Sequence, residues 1–200
     1  MAAPRFLNDV VKPWDELNAL LAERLALQPN LSDVTRLAGA LAVAIRHQVD
    51  TVGLKDSAVS AECFEHRVIS DTADSWKHGS LRKPNRNTHF TTEAFFEYDN
   101  MRGFSFLRNA LFVEHASLGR HDFLQTSLMA IYYWVGKHGY SMTWQGTVRE
   151  RPAEFHQEAF LNYESEKCIS VSQVRLGFFT RKMDGSLQRV DPPEVRFAIY

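Results

Sequence analysis

This 200-residue chain has little of several things whose absence narrows what it can be. Cys63 and Cys168 are its only cysteines, too few for a disulfide framework, and both read as reduced thiols in the core. Neither sign of charge is in excess. Lys and Arg number 23 against 24 Asp and Glu, for a net charge of -1, so no global field draws the chain to nucleic acid or a membrane surface. No run of about 18 uncharged apolar residues occurs, which argues against a membrane-spanning helix. Met1-Ala2-Ala3-Pro4-Arg5-Phe6 lacks the basic-then-apolar pattern of a secretory leader, and the expected location is the cytoplasm. A phosphate-binding glycine loop, a dinucleotide fingerprint and a serine nucleophile elbow are also missing, which disfavours those enzyme classes.

What is present is ordinary globular material: 44% hydrophobic and 12% aromatic residues, enough for a substantial core in one domain. Pro13-Trp14-Asp15-Glu16 opens a helix carrying Leu17, Leu20, Leu21 and Leu25, and Pro29-Asn30 stops it. Ser32-Asp33 caps a second, alanine-rich helix with Leu37, Leu41, Ile45 and Val49 on one side. A third is expected over Ser57–Lys77, with Phe64, Val68, Ala73 and Trp76 inward and Gly79 as its C-terminal cap. Residues 82–92 read as a polar loop, 95–98 as a strand and 99–103 as a turn. From Asp122 to Lys137 the pattern Phe123, Leu124, Leu128, Ile131, Val135 predicts an amphipathic helix.

After residue 140 the texture changes. Val174, Leu176 and Phe178 alternate, Asp184-Gly185 signals a hairpin turn, and Val195, Phe197 and Ile199 alternate again. Segments 172–180 and 195–200 are expected to pair antiparallel, with Asp191-Pro192-Pro193 at an edge or break. The expected fold is α+β in a single domain over 1–200. Residues 12–138 would form a bundle of about four helices with short strands, and 139–200 a strand-rich part ending in a β-hairpin.

One short motif could carry chemistry. In Arg108-Asn109-Ala110-Leu111-Phe112-Val113-Glu114-His115 an arginine is followed by a polar residue and, six intervening residues on, by histidine. Arg82 to His89, and Arg149 or Arg151 to His156, have similar spacing, but of these only Arg108 is followed by Asn. Here the chain resembles the HEPN superfamily, all-helical domains with an Arg–polar–His signature. Asp74-Ser75-Trp76-Lys77-His78-Gly79 and the helix after the motif fit it loosely, and the resemblance spans roughly residues 30–138. It implies metal-independent RNA cleavage or RNA binding by a homodimer, in a defence or toxin system. His115 would be the general acid or base, Arg108 the phosphate clamp and Asn109 the orienting group. No cofactor is implied.

The secondary structure of residues 104–115 decides whether that chemistry is possible. Positions seven apart share a helix face, but on a strand they point to opposite faces. Phe104, Phe106 and the preceding turn favour a strand, whereas Leu107, Ala110 and Leu111 favour a helix, and the sequence leaves both open. Other readings compete. Arg82, Lys83 and Arg86 form the densest basic patch and could meet RNA phosphates, though such loops are more often simply solvated. His115, His121 and Asp122, with Glu97 and Asp99, are the residues a metal-dependent hydrolase would use, but none of their spacings is a recognised ligand pattern. The main alternative is a non-catalytic module that docks a partner protein.

Overall fold

The computed structural model describes residues 4–27, 33–166 and 174–200. Within them the chain is α+β, with helices leading and strands following. A short helix α1 (Pro4–Phe6) and a π-helical turn (Leu7–Val11) run straight into α2 (Lys12–Leu21), so the helix predicted from Pro13 begins a few residues earlier. Pro13 sits in the first turn of α2. Then come α3 (Asp33–Arg46), α4 (Gln48–Val52), α5 (Asp56–Glu62) and α6 (Phe64–His78). The helix predicted from Pro13 ends at Leu21, short of the predicted stop, and Leu25 lies beyond it in an isolated bridge to Asn162. Pro29-Asn30 and the predicted cap at Ser32 lie outside the described residues.

The helix expected over 57–77 is two helices. Cys63 takes an extended conformation, φ -125° and ψ 107°, and its Sγ accepts from the His66 N–H at 3.4 Å, capping α6. Val68 and Ala73 are buried as expected, but Phe64 and Trp76 stay half exposed at the two ends of α6.

After a 3₁₀ turn (Pro84–Arg86), two long strands follow: β1 (Thr88–Asp99) and β2 (Gly103–His115). The predicted loop therefore ends five residues early. These strands pair antiparallel through a tight turn in which Gly103 has φ +92°, and a Cβ there would lie 2.2 Å from the His156 carbonyl oxygen. A bulge opposite Phe95/Phe96 leaves Leu107 as the extra residue. Next come β3 (Gly119–Asp122) and α7 (Phe123–His138), whose N-terminus Asp122 caps by accepting from the Gln125 N–H at 3.2 Å. The amphipathic helix is thus where the periodicity put it. Leu128 and Ile131 are buried and Val135 is partly so.

Short β4 (Phe155–His156) and β5 (Ala159–Leu161) precede β6 (Leu176–Arg181), β7 (Leu187–Val190) and β8 (Phe197–Ile199). The sheet order is β3-β2-β1-β6-β7, with β4 also on β2. The Asp184-Gly185 hairpin forms, but β6 pairs with β7 rather than with the terminal segment. That segment, β8, instead runs parallel to β5 in a separate two-stranded sheet. Asp191-Pro192-Pro193 supplies the reason: proline cannot donate to a ladder, and the chain leaves the sheet there. Residues 172 and 173 of the expected strand lie outside the described residues.

The helices cover one face of the main sheet. Trp14, Ile69, Phe96, Phe106, Phe123, Ile131 and Trp134 form the centre of this core, all at 1% exposure or less. Among the described residues no helix is long and apolar enough to cross a membrane. Ile131→Ala should lower unfolding free energy by about 2–5 kcal/mol, the range for emptying a fully buried aliphatic site. Tyr132→Ala, on the exposed side of α7, should cost well under half as much. Equal losses in denaturant titrations of the two variants would overturn this assignment of faces.

Candidate functional site

Residues 104–115 are strand throughout, so the motif lacks the helical setting its resemblance implies. Asn109, Leu111, Val113 and His115 face the helices, whereas Arg108, Phe112 and Glu114 face the other side. Arg108 and His115 therefore sit on opposite faces of one strand and do not converge on a common phosphate.

Each motif side chain is already engaged within the fold. The Arg108 guanidinium lies 2.5 Å from Asp122 Oδ2 and 5.2 Å from the Phe95 ring centre. The Asn109 amide donates to the Glu23 carbonyl oxygen at 3.0 Å, holding the end of the N-terminal helix to the sheet. The His115 side chain is sealed from solvent. Its Nδ1 accepts from the backbone N–H groups of Ser117 and Leu118, both at 3.2 Å, so the ring proton sits on Nε2 and is donated to Asp71 Oδ2 at 3.0 Å. With both nitrogens used and no water access, His115 cannot shuttle protons to a bound substrate.

The basic loop divides in the same way. Arg86 donates to Asp71 Oδ1 at 2.6 Å and to Asp74 Oδ2 at 3.0 Å, and the Asp71 hydrogen bond pushes its guanidinium further up from the ordinary value. Arg86 is thus a structural cation. Arg82 and Lys83 are exposed and form no ion pair among the described residues. The residues a metal would have needed are also committed. His121 bonds the Leu118 carbonyl, Asp122 holds Arg108, Glu97 holds Arg181, and Asp99 accepts from the Met101 and Arg102 backbone. No group of three His, Cys, Asp or Glu among the described residues is placed to hold a metal ion.

Two places away from the motif present accessible chemistry. The first surrounds Trp76, which keeps 44% exposure at the end of α6. Its indole lies against Gly39 of α3, where a Cβ would come within 2.3 Å of the ring. Beside it opens a cavity of about 280 Å³ lined by Thr35, Thr72, Ser75, Thr88 and His89, with no carboxylate. The Thr35 hydroxyl has no hydrogen-bond partner there. The sequence did hold a signal for this place: residues 75–92 contain no Asp or Glu but carry Lys77, Arg82, Lys83, Arg86, His78 and His89.

The second is a groove of about 740 Å³ between the N-terminal turns and α3–α4, lined by Phe6, Val43, His47, Gln48, Asp50 and Tyr140. His47 Nδ1 lies 2.8 Å from Asp50 Oδ2 and its Nε2 lies 3.1 Å from Lys77 Nζ. His138 stacks on Tyr140 and bonds Gln48 Oε1 at 3.1 Å. Burial pushes the His138 pKa below the ordinary 6.5. His47 and Asp50 share one helical turn, but Lys77, His138 and Tyr140 arrive from distant elements, so no sequence spacing could announce the set.

Comparison of the chain with family models, with curated proteins and with solved structures returned no match.

Removing His115 should weaken the fold rather than leave it intact as a catalytic role would. His115→Ala leaves a hydrogen-bond site on buried Asp71 unfilled, and denaturant titration should register a loss of about 1–3 kcal/mol. Unchanged stability would mean the Asp71 bond holds nothing. His138 predicts a pH effect. Its folded pKa is depressed, so the unfolded chain binds the proton more tightly and stability falls as pH drops below 6.5. His138→Gln should flatten the thermal-stability profile between pH 7 and pH 5; a profile identical to wild type would refute the assignment.

Proposed function

We propose that this protein binds RNA without cleaving it. The reading rests on one observation: the acid-free segment 75–92, whose Arg82 and Lys83 are exposed and unpaired among the described residues. Phosphates are attracted by cations not already neutralised by neighbours, and most of the chain's arginines near the sheet are neutralised. Asp71 and Asp74, the carboxylates just before this segment on α6, are held by Arg86, with His115 on the first and Arg46 on the second. They therefore subtract little from the local positive potential.

A metal-independent ribonuclease built on Arg108, Asn109 and His115 has less support. General acid–base catalysis requires an imidazole within reach of the substrate's proton, and His115 is enclosed by Asp71 and its own backbone. Arg108 is on the far side of the strand with its charge on Asp122.

Incubating the pure protein with mixed-sequence RNA in EDTA tests the reading directly. RNA should shift in a binding assay at low salt and be recovered full length, without 2′,3′-cyclic phosphate ends. Cleavage that survives EDTA and disappears in a folded Arg108→Ala variant would restore the ribonuclease. No RNA binding at all would sink the RNA reading and leave the protein-docking module in its place.

A further inference from the structure

We infer that the surface around Trp76 is a site for single-stranded polynucleotide, with a base stacked on the indole and the flanking phosphates held by Arg82 and Lys83. This rests on the RNA-binding reading above and goes beyond it in naming the site, the strandedness and the mode of recognition.

Three observations meet at this place. The first is a large aromatic ring kept in the open. Trp76 is 44% exposed in a chain whose Trp14 and Trp134 are wholly buried. Gly39 brings the α3 backbone against the ring, and any larger residue there would collide with it. A fixed ring with an open side is what base stacking needs, because little conformational freedom is lost on binding.

The second is charge. The segment from Ser75 to Thr92 completes α6, turns through Pro84–Arg86 and enters β1 without a single carboxylate. Its turn is pinned from within. Asn87 Oδ1 accepts from the Leu81 N–H at 2.8 Å, the Ser75 hydroxyl accepts from the Thr88 N–H at 3.1 Å, and Arg86 is held by α6. Arg82 and Lys83 are thus exposed cations on a braced loop. The arginines of the open sheet face are a contrast, since Arg108, Arg120, Arg181 and Arg189 all rest on carboxylates. That face has aromatic rings and cations but no charge to spare.

The third is the cavity beside the ring. Hydroxyl-bearing Thr35, Thr72, Ser75 and Thr88 line it, and the Thr35 Oγ1 atom is buried without a partner. Such a hydroxyl-lined space suits the polar edge of a base or a ribose. At about 280 Å³ the space admits one such group rather than a duplex, whose bases are paired and stacked on each other.

The test is binding of labelled single-stranded RNA, single-stranded DNA and duplex RNA, each of mixed sequence, by anisotropy across a salt series. Wild type should bind single strands, with Trp fluorescence quenched on binding. Trp76→Ala should weaken affinity roughly 5- to 150-fold, the range for losing one base–aromatic stack. Trp76→Phe, which keeps a ring against Gly39, should recover part of it while abolishing the quenching. Gly39→Ala should weaken binding by displacing the indole. Arg82→Ala with Lys83→Ala should lower the slope of log affinity against log salt by about 1.4, as expected for two lost phosphate contacts on a single strand. Lys182→Ala, which removes one charge in the β6–β7 turn, should leave that slope unchanged. Thermal melts confirm that each variant is folded.

Single-stranded RNA binding that ignores all the Trp76, Gly39, Arg82 and Lys83 changes would overturn this site while leaving the RNA-binding reading standing. Equal affinity for duplex and single strand would overturn the stacking. Binding of DNA alone would keep the site and overturn RNA as the ligand. Binding to none of the three would end both.

Discussion

The carboxylate of Asp71 joins the two halves of the molecule. It projects from α6, is 4% exposed, and accepts on one oxygen from Arg86 and on the other from His115. A buried carboxylate is costly unless its lone pairs are filled, and here two elements of the second half fill them. His115 closes β2, and its other nitrogen organises the turn to β3; Arg86 anchors the turn leading into β1. One ionised oxygen pair therefore registers the long hairpin against the helical layer. Asp56 does the same on a smaller scale, its pKa lowered first by the His66 hydrogen bond, while Trp134 donates to the other nitrogen of that ring at 3.3 Å. Histidine recurs at these joints because one ring can bond two elements at once.

The uncovered face of the sheet solves a different problem. Phe95, Phe112 and Phe179 lie on it, and a sheet with bare phenyl rings in water invites association. Arginines roof them instead. Arg120 lies 3.6 Å from the centre of the Phe112 ring, and Arg108 and Arg189 lie over Phe95 and Phe179. Each guanidinium is steadied by an acid, and Glu93, 3% exposed, bonds both Arg120 and Arg189. Gly177 leaves the space for that carboxylate, because a Cβ there would lie 2.6 Å from its oxygen. The cations at the motif's outer side thereby belong to the fold's own surface chemistry.

Local signals decided much of this protein from sequence alone. The helix after Asp122 was legible because capping residue, apolar spacing and closing glycine agree between Asp122 and Gly139. The α+β order and the Asp184-Gly185 turn were legible for the same reason. Where the sequence was ambiguous, a nonlocal contact settled it. Residues 104–115 have a composition that suits either state, and they are strand because β1 offers a twelve-residue partner and the helices bury every second side chain. Cys63 broke an apparently continuous helix through a cap no periodicity reveals. The terminal strand left its expected hairpin because prolines detached it and β5 lay ready to receive it.

The motif follows the same logic. Spacing along the chain put Arg108 and His115 together, but spacing is a statement about space only once the backbone period is known. At the strand period they part, and the bonds that define their roles come from Asp122, Asp71 and Glu23, which are 14, 44 and 86 residues away. The acid-free run beside Trp76 was visible in the sequence as composition. Which of its cations are spent inside the fold, and that the indole stays open against Gly39, depended on tertiary structure, because ion pairing and exposure are properties of neighbours rather than of residues.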